Sequence, residues 1–334
     1  MTPSFEIRGQ RFLVTGGTGF IGSALVRGLV NAGGIVRTLD NDSRGTRRKF
    51  SSIQQHIEII TGDIRDPVVV RKAVAGVDYV CHLAYINGTE YFYTKPDLVL
   101  EVAVKGMTNV LDACLAEGVK NIVLASSSEV YQLPPVVPTD ERVPLIVPDI
   151  MNPRYSYGGG KIISELLLVN YGRNYFDRAL IFRPHNVYGP DMGYEHVIPQ
   201  FATRMKQLAA DSSGTIEFPI QGTGNETRSF IYIDDFVSAL IKVIQQGKHL
   251  NIYHIGTENE VSIKKLALMI AACFNREIKI VPGPVLEGST PRRCPDVTKL
   301  SKLGFKPNFD LARGLKTTVA WYQNLGPISK EEKS

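Results

Sequence analysis

Residues 11–22, with the sequence RFLVTGGTGFIG, decide the fold of this 334-residue chain. The apolar run Arg11–Thr15 predicts a β-strand, and a Gly-x-x-Gly-x-x-Gly turn follows it where a helical pattern begins. Glycines at such a turn let backbone amides and the positive end of a helix approach a pyrophosphate. The sequence therefore predicts a dinucleotide-binding turn formed by Gly16, Gly19, Phe20, Ile21 and Gly22.

A carboxylate lies about twenty residues after this turn, at Asp40, the last residue of the predicted strand Ile35–Asp40. At this position it would accept hydrogen bonds from the adenosine ribose diol and would repel a 2′-phosphate. The sequence therefore favours NAD over NADP. NADP remains an alternative, because arginines that could bind its 2′-phosphate follow closely, namely Arg44, Arg47 and Arg48.

Residues at the ends of neighbouring strands complete the predicted cofactor site. The strands are Ile35–Asp40, Ile57–Thr61 and Tyr79–Leu83, and parallel sheets bind ligands at their carboxyl edge. The expected contacts come from Asn41, Ser43, Asp63, Ile64, Leu83 and Ala84. Asp63 suits either the adenine amino group or the capping of the helix that begins near Asp66.

Short β-type runs alternate with longer helical patterns through the first half of the chain. Further strands are predicted at Asn121–Ser126 and Ala179–Arg183, and helices at Ile21–Asn31, Pro67–Ala75, Asp97–Glu117 and Lys161–Tyr175. The alternation predicts an α/β fold with a doubly wound, Rossmann-type parallel sheet. We assign residues 1–183 to this domain, with a return to the sheet left open near 230–256, residues 184–328 to a smaller C-terminal α/β substrate-binding lobe, and 329–334 to a disordered tail.

Composition and charge exclude several classes of protein. Hydrophobic residues make up 43% of the chain and charged residues 21%, which is ordinary for a globular enzyme. The basic residues behind the net charge of +5 are spread along the chain, so we expect no nucleic-acid partner. No stretch has the apolar length of a signal peptide or a membrane span, and we expect a cytoplasmic protein. The four cysteines show no metal-ligand spacing, and no metal is expected.

Two stretches carry reactive side chains. The first runs from Ser126 to Tyr131 after a predicted strand, and the second runs from Tyr157 to Lys161 through three glycines. A spacing of four places Tyr157 and Lys161 on one face of a helix. Lowering a tyrosine pKa by about three units takes roughly 4 kcal/mol, which a nearby ammonium and a cationic nicotinamide can supply. The pair therefore predicts a tyrosine base.

Together these motifs resemble the extended short-chain dehydrogenases/reductases of the nucleotide-sugar epimerase and dehydratase family. The resemblance implies that Tyr157 takes the proton from a sugar hydroxyl as hydride passes to NAD. It also implies that Lys161 holds the nicotinamide ribose and lowers the tyrosine pKa, and that Ser127 hydrogen-bonds the same sugar oxygen. The implied partner is a nucleotide diphosphate sugar, and the implied assembly is a homodimer through the helices predicted at 97–117 and 161–175.

Glu129 bears on the step that follows oxidation. The Ser-Ser-Glu arrangement resembles that of nucleotide-sugar 4,6-dehydratases and decarboxylases, whereas 4-epimerases usually carry no acid at this position. A carboxylate can take the acidified proton beside a 4-keto group. Ser128 stands in the place of an aspartate acid in one dehydratase branch, so Glu129 would serve as both base and acid. We therefore favour 4,6-dehydratase-type chemistry with return of the hydride to the same sugar.

Four residues in the second half of the chain are predicted to bind the substrate. Asn186, in the segment RPHNVYGP, resembles the family asparagine that touches the nucleotide sugar. Arg228 and Arg293 resemble two arginines that grip the substrate diphosphate, and a guanidinium fork suits phosphate oxygens. His196 lies in a loop that could face the sugar, where it would act as a proton donor.

Three positions depart from the family pattern. Tyr85 stands where a small residue is usual, Ala103 stands where an asparagine is usual, and the three glycines before Lys161 are atypical. These departures bear on substrate details and leave the reaction class unchanged.

Two other functions remain open from the sequence. A C4 epimerase would oxidise and reduce the same carbon with Glu129 as a bystander. A non-catalytic nucleotide-binding protein would keep the fold without turnover, and the intact serine, tyrosine and lysine argue against it.

Overall fold

The structure, a computed structural model, describes residues 4–211, 214–284 and 290–326, and the tail predicted at 329–334 lies outside them. The strands are β1 Arg11–Thr15, β2 Ile35–Asp40, β3 Ile57–Thr61, β4 Tyr79–His82, β5 Asn121–Ala125, β6 Arg178–Pro184, β7 Val187–Tyr188, β8 Ile216–Ile220, β9 Thr227–Ser229, β10 Ile231–Tyr232, β11 Asn251–Ile255, β12 Glu260–Ser262, β13 Ile278–Pro282 and β14 Arg292–Arg293. The α-helices are α1 Phe20–Asn31, α2 Pro67–Val74, α3 Thr89–Thr94, α4 Pro96–Glu101, α5 Met107–Ala116, α6 Ser156–Tyr175, α7 Val197–Asp211, α8 Ile233–Gln246, α9 Ile263–Cys273, α10 Thr298–Lys302 and α11 Leu311–Asn324.

The central sheet of the described chain has seven parallel strands in the order β3-β2-β1-β4-β5-β6-β11. Apolar cores lie on both of its faces. Phe12 and Val14 of β1 pack into one core with α1 and α8, and Leu13 packs into the other with α2 and α5. Successive side chains of a strand point to opposite faces, so a strand buried on both sides is apolar throughout. The prediction of a doubly wound α/β fold is confirmed.

Smaller sheets lie beside the carboxyl edge of the central one. β7 pairs with β10 in parallel, and β9 lies between β12 and β14. In the pairing of β9 with β14, Arg228 lies opposite Arg293. β11 comes from the second half of the chain but pairs with β6 in the central sheet. The strand order changes direction between β1 and β4, which is where sheets of this class bind ligands.

The predicted helices differ from the structure at two places. The helix expected at 97–117 is interrupted by a wider π-helical turn, Val102–Gly106, between α4 and α5. The helix expected to begin at Lys161 begins earlier, at Ser156, and runs through the three glycines. A Cβ at Gly160 would overlap the Tyr85 hydroxyl, so close packing accounts for a residue that helix propensity alone disfavours.

Candidate functional site

The turn between β1 and α1 is glycine-rich because backbone comes too close there for side chains. A Cβ at Gly22 would overlap the Gly16 carbonyl oxygen, and one at Gly16 would lie 2.7 Å from the Ala84 amide nitrogen. Gly16 also has a φ of 71°, which glycine adopts at little cost. The first turn of α1, from Phe20, carries no side-chain cap and no acidic residue. Its amides therefore suit phosphate oxygens, and this cradle fits the pyrophosphate of NAD.

Asp40 lies at the adenosine end of the predicted cofactor site, half-buried at the end of β2. Its carboxylate accepts hydrogen bonds from the amides of Thr18 (3.0 Å) and Asp42 (2.9 Å), which fix it beside the glycine turn. Two of the nearby arginines have carboxylate partners of their own. Arg44 pairs with Glu195 at 2.6 Å, and Arg47 pairs with Asp42 at 2.8 Å.

Asn41, Ser43 and Asp63 form a hydrogen-bonded group next to Asp40. The Asn41 side chain accepts from the Ser43 amide at 3.1 Å and donates to Asp63 at 3.2 Å. Asp63 also pairs with Arg65 at 2.8 Å, and these hydrogen bonds hold the pKa of its carboxyl below the usual value. The cap of α2 is Asp66, which accepts from the amides of residues 68 and 69. The sequence alternative in which Asp63 caps this helix is therefore wrong.

The chain after β4 is held against the glycine turn by Thr15. The Thr15 hydroxyl oxygen accepts hydrogen bonds from the amides of Leu83 and Ala84, both at 3.1 Å. It also forms a 2.8 Å hydrogen bond with the His82 ring. Ile64 packs into the apolar core with α5, and its carbonyl oxygen accepts a hydrogen bond from the Asn109 side chain at 2.9 Å.

Ser127, Tyr157 and Lys161 come together at the carboxyl ends of β5 and β6. Tyr157 shares a hydrogen bond with the Ser127 hydroxyl, and Lys161 Nζ donates to the Ala125 carbonyl oxygen at 2.7 Å. Burial raises the pKa of Tyr157 to about 12, and the Ser127 hydrogen bond opposes this only in part. Burial also lowers the pKa of Lys161 to about 7, with Glu165 opposing. The groups of the chain alone therefore keep Tyr157 as a neutral phenol at pH 7.

Glu129 and Arg293 form an ion pair with Nη1 and Oε1 2.5 Å apart. Arg293 also donates to the Thr290 hydroxyl at 3.1 Å. Partial burial raises the pKa of Glu129, but the charges of Arg293, Arg154 and Arg228 outweigh it and leave the pKa below its usual value. The carboxylate is therefore held in its ionised form. Two residues predicted for separate tasks, proton transfer and diphosphate binding, thus contact each other.

Ser128 is the first residue of the short 3-10 turn Ser128–Tyr131, and its side chain is buried. The Ser127 hydroxyl oxygen caps this turn by accepting from the Glu129 amide at 3.1 Å. The turn thereby aims Glu129 toward the arginines while keeping Ser127 within reach of the tyrosine.

Of the predicted substrate residues, Arg293, Arg228 and His196 lie near Glu129. The Asn186 side chain donates to the Ser229 carbonyl oxygen at 2.8 Å, so it joins the loop after β6 to the end of β9. Burial and the neighbouring Arg293 lower the pKa of Arg228 to about 10. His196 is solvent-exposed, and the charges of Arg44 and Glu129 act on its imidazole ring.

Sequence reasoning missed the aromatic packing around Tyr157 and one cation near Glu129. The Phe92 ring stacks on Tyr157 with centroids 5.0 Å apart, and Tyr85 meets it edge-on at 5.2 Å. Arg154 adds to the positive potential at Glu129. Its place three residues before Tyr157 was the available signal, whereas nothing local marks Phe92.

Within residues 4–211, 214–284 and 290–326, the helices fall short of the length and apolarity needed to cross a bilayer. Over the same ranges, histidine, cysteine, aspartate and glutamate side chains form no group of three that could hold a metal ion.

Comparison with known proteins identifies the family. The sequence model of the NAD dependent epimerase/dehydratase family matches residues 12–256. A UDP-N-acetyl-alpha-D-glucosaminuronate decarboxylase of Bacillus cytotoxicus is 34% identical over 95% of this chain and 98% of its own. Two solved structures have a TM-score of 0.82. A dTDP-glucose 4,6-dehydratase of Streptomyces venezuelae with NAD bound is 29% identical (94% of this chain, 97% of that one), and a UDP-glucose 4-epimerase of Thermus thermophilus in complex with NAD is 25% identical (94% and 99%). The chain belongs to the NAD-dependent epimerase/dehydratase family.

Proposed function

We propose that the chain is a nucleotide-sugar decarboxylase that oxidises C4 of a nucleotide-linked hexuronic acid, releases the C6 carboxylate as carbon dioxide, and reduces C4 again. The observation that carries this proposal is the ion pair between Glu129 and Arg293. The 34% identical relative named as a UDP-N-acetyl-glucosaminuronate decarboxylase supports it.

Tyr157 begins the reaction by accepting the proton of the C4 hydroxyl, and Ser127 donates a hydrogen bond to the same oxygen. NAD, when bound at the glycine turn, supplies the hydride acceptor and a positive charge. Lys161 adds a second positive charge behind the tyrosine, where the Ala125 carbonyl orients it. Together these charges favour the phenolate, which burial alone disfavours. On re-reduction Tyr157 returns the proton to the C4 oxygen.

The 4-keto group makes the C6 carboxylate a β-keto acid. The bond between C5 and C6 breaks, its electron pair moves into the C4–C5 enolate, and C5 then takes a proton that Glu129 relays from solvent. This step expels no hydroxyl and so needs no acid beside C6. A glutamate whose pKa is lowered by arginines is a poor acid for such an expulsion, and Ser128 supplies no carboxyl in its place. Three guanidinium groups around one carboxylate also suit a substrate that carries a carboxylate besides its diphosphate.

A 4,6-dehydratase is the second candidate. An ionised Glu129 is a competent base for the C5 proton of a 4-keto hexose. The similarity to the Streptomyces dehydratase structure favours this candidate. It requires Glu129 to pass the same proton to the departing C6 hydroxyl, which the pairing with Arg293 opposes.

The products distinguish these reactions. Purified protein is incubated in deuterium oxide with nucleotide-linked hexuronic acids and hexoses, and the products are analysed by mass spectrometry and NMR. We expect a nucleotide-linked pentose with deuterium at C5, and carbon dioxide carrying a label placed at C6. A 4-keto-6-deoxy sugar would replace this proposal with the dehydratase. An epimer without deuterium at C5 would replace it with the C4 epimerase.

Glu129→Gln tests the second step alone. We expect the first oxidation to persist, seen as reduced cofactor, while steady-state carbon dioxide release falls by about 100-fold or more, because turnover stalls when the C5 carbanion left by decarboxylation is not reprotonated. Tyr157→Phe is the control, since it blocks the oxidation itself. If Glu129→Gln releases carbon dioxide at the wild-type rate, Glu129 has no part in this step.

We also propose that the chain forms a homodimer. The outer surfaces of α4, α5 and α6 expose large apolar side chains, which a second copy could cover. These are Leu100, Leu115, Ile163, Leu166 and Tyr175.

A further inference from the structure

We propose that Tyr85 is a positioning residue whose ring holds the Lys161 ammonium and the Tyr157 ring in place, and that Ala103 and Gly160 are small because they make room for it. The inference rests on the proposed roles of Tyr157 and Lys161. It joins three departures from the family pattern, at 85, 103 and 160, into one packing arrangement.

The Tyr85 ring lies against the end of the Lys161 side chain. Lys161 Nζ is 3.6 Å from the Tyr85 ring centroid and 2.7 Å from the Ala125 carbonyl oxygen. The Tyr85 ring and the Ala125 carbonyl oxygen both contact the ammonium, and together they restrict its position. Lys161 is buried and Tyr85 is half-buried, and a cation over an aromatic face is stabilised more strongly where water is excluded. Tyr85 therefore both orients Lys161 and favours its charged form.

Tyr85 also restrains the tyrosine. The two rings meet at 84° with centroids 5.2 Å apart, while Phe92 stacks on Tyr157 from another side. The Tyr85 hydroxyl donates a long hydrogen bond, 3.4 Å, to the Tyr157 carbonyl oxygen. The phenol of Tyr157 is thus fixed by aromatic contacts in addition to its bond with Ser127.

Small neighbours are necessary for this placement of Tyr85. A Cβ at Gly160 would overlap the Tyr85 hydroxyl and would lie 2.8 Å from the Ala103 Cβ. Ser164 ties the two positions together by hydrogen-bonding the carbonyl oxygens of Ala103 (3.3 Å) and Gly160 (2.9 Å). A side chain at 160 would therefore displace the Tyr85 hydroxyl, and Ala103 packs against the same position.

The charges that face this pair come from several elements. Glu165 and His82 lie near Lys161, and the charges of Glu129 and Arg44 act on Tyr157, which Ser127 hydrogen-bonds. Tyr85 itself is neutral at working pH, because burial raises its pKa well above the usual value. Its effect on the lysine therefore comes from the face of its ring.

Two substitutions at position 85 test the proposal. Tyr85→Phe keeps the ring, and we expect kcat within about 3-fold of wild type. Tyr85→Leu fills the space without an aromatic face, so we expect kcat to fall by about 10-fold or more, with KM for the nucleotide sugar changed by less than about 3-fold. The rising limb of the pH profile of kcat should move to higher pH in the leucine variant, because a less protonated Lys161 stabilises the phenolate less. Equal losses in both variants, or an unshifted profile for leucine, would overturn the proposal.

Gly160→Ala provides a second test, made alone and combined with Tyr85→Phe. Alone, we expect a loss of about 10-fold in kcat, because the new Cβ displaces the Tyr85 hydroxyl. Combined with Tyr85→Phe the same change should cost less than it does alone, since the overlapping hydroxyl oxygen is gone and only the 2.8 Å approach to the Ala103 Cβ remains. The same loss in both backgrounds would contradict the arrangement.

Rates for these variants are read as the first appearance of reduced cofactor, relative to wild type. This readout does not depend on which product forms. If the wild type turns over a substrate other than a hexuronic acid, only the proposed function is overturned. If the relative rates of the Tyr85 and Gly160 variants differ from those expected above, only the role of Tyr85 is overturned.

Discussion

Lys161 is a buried ammonium whose polar partner is the Ala125 carbonyl oxygen, and burial lowers its pKa to about 7. In the unfolded chain a lysine titrates near pH 10.4. Below pH 7 both states carry the proton, and the folded state bears the full cost of the buried charge. From pH 7 to about pH 10.4 the folded state releases the proton first, so this cost disappears as pH rises.

We therefore expect Lys161→Met to stabilise the protein at pH 6 by about 1–3 kcal/mol, and the gain to shrink toward pH 10. Urea denaturation of wild type and variant at both pH values measures it. Lys72→Met, at an exposed lysine, is the matched control and should change little at either pH. A gain that is the same at pH 6 and pH 10 would mean that the buried charge carries no such cost.

The sequence predicts the residues of the candidate site, but it does not predict which side chains they contact. Ser127, Tyr157 and Lys161 lie in short motifs that fix their spacing. The partner of Glu129, Arg293, is 164 residues away, in the strand β14 that pairs with β9. Patterns along the chain carry no information about such contacts, which is why the lowered pKa of Glu129 could not be predicted.

At the scale of elements, α6 shows how packing overrides local preference. Three successive glycines disfavour a helix by about 1 kcal/mol each relative to alanine, yet the helix includes them. Two of the three lie against neighbours. A Cβ at Gly158 would lie 2.5 Å from Gln132 Nε2, and one at Gly160 would overlap the Tyr85 hydroxyl, whereas one at Gly159 would make an ordinary 3.5 Å contact with Val147.

Gly159→Ala should therefore stabilise the protein by about 0.5–1 kcal/mol, because alanine favours the helix and meets no obstruction. Gly158→Ala, its neighbour, should destabilise it instead, since Gln132 and the Glu129 backbone must shift. Thermal unfolding of the two variants side by side measures the contrast. Stabilisation by both would show that the contacts around α6 are looser than the structure indicates.

Strand positions follow the sequence closely, and helix ends less so. β1, β2 and β3 have the predicted bounds because buried parallel strands are apolar throughout and are flanked by turns. The wider turn at Val102–Gly106 was not predicted; it ends at Gly106, where a Cβ would overlap the Ile64 side chain of another segment. A helical pattern in sequence does not distinguish an α-helix from one with a local π-turn.

For the fold of the entire chain, the alternation of strands and helices was enough to predict a doubly wound parallel sheet. The position of β11 beside β6 was not settled by the sequence, because a short apolar run can join either the central sheet or a smaller one. The resemblance implied a dimer surface on the helices expected at 97–117 and 161–175, and the structure leaves large apolar side chains of α5 and α6 exposed there.

If the chain dimerises through α5 and α6, Leu166→Glu should give a monomer. Leu166 is 58% exposed, and a dimer would bury it, so a glutamate there would place a charge in the interface. Light scattering at matched concentration measures the mass. Val68→Glu, at a 76% exposed residue of α2, is the control and should leave the mass unchanged. A monomeric wild type would contradict the proposed assembly.

We propose that the Tyr157 oxygen, beside bound NAD, starts and ends the reaction at C4 of the sugar. This role is tested with a nucleotide-linked hexuronic acid deuterated at C4, with wild type and Tyr157→Phe compared by mass spectrometry of the product. We predict that wild type forms a pentose product that retains the deuterium, because the hydride returns to the carbon it left. We also predict that Tyr157→Phe reacts at least about 1,000-fold more slowly while still binding NAD. Loss of the label to solvent, or turnover by Tyr157→Phe at the wild-type rate, would contradict the account.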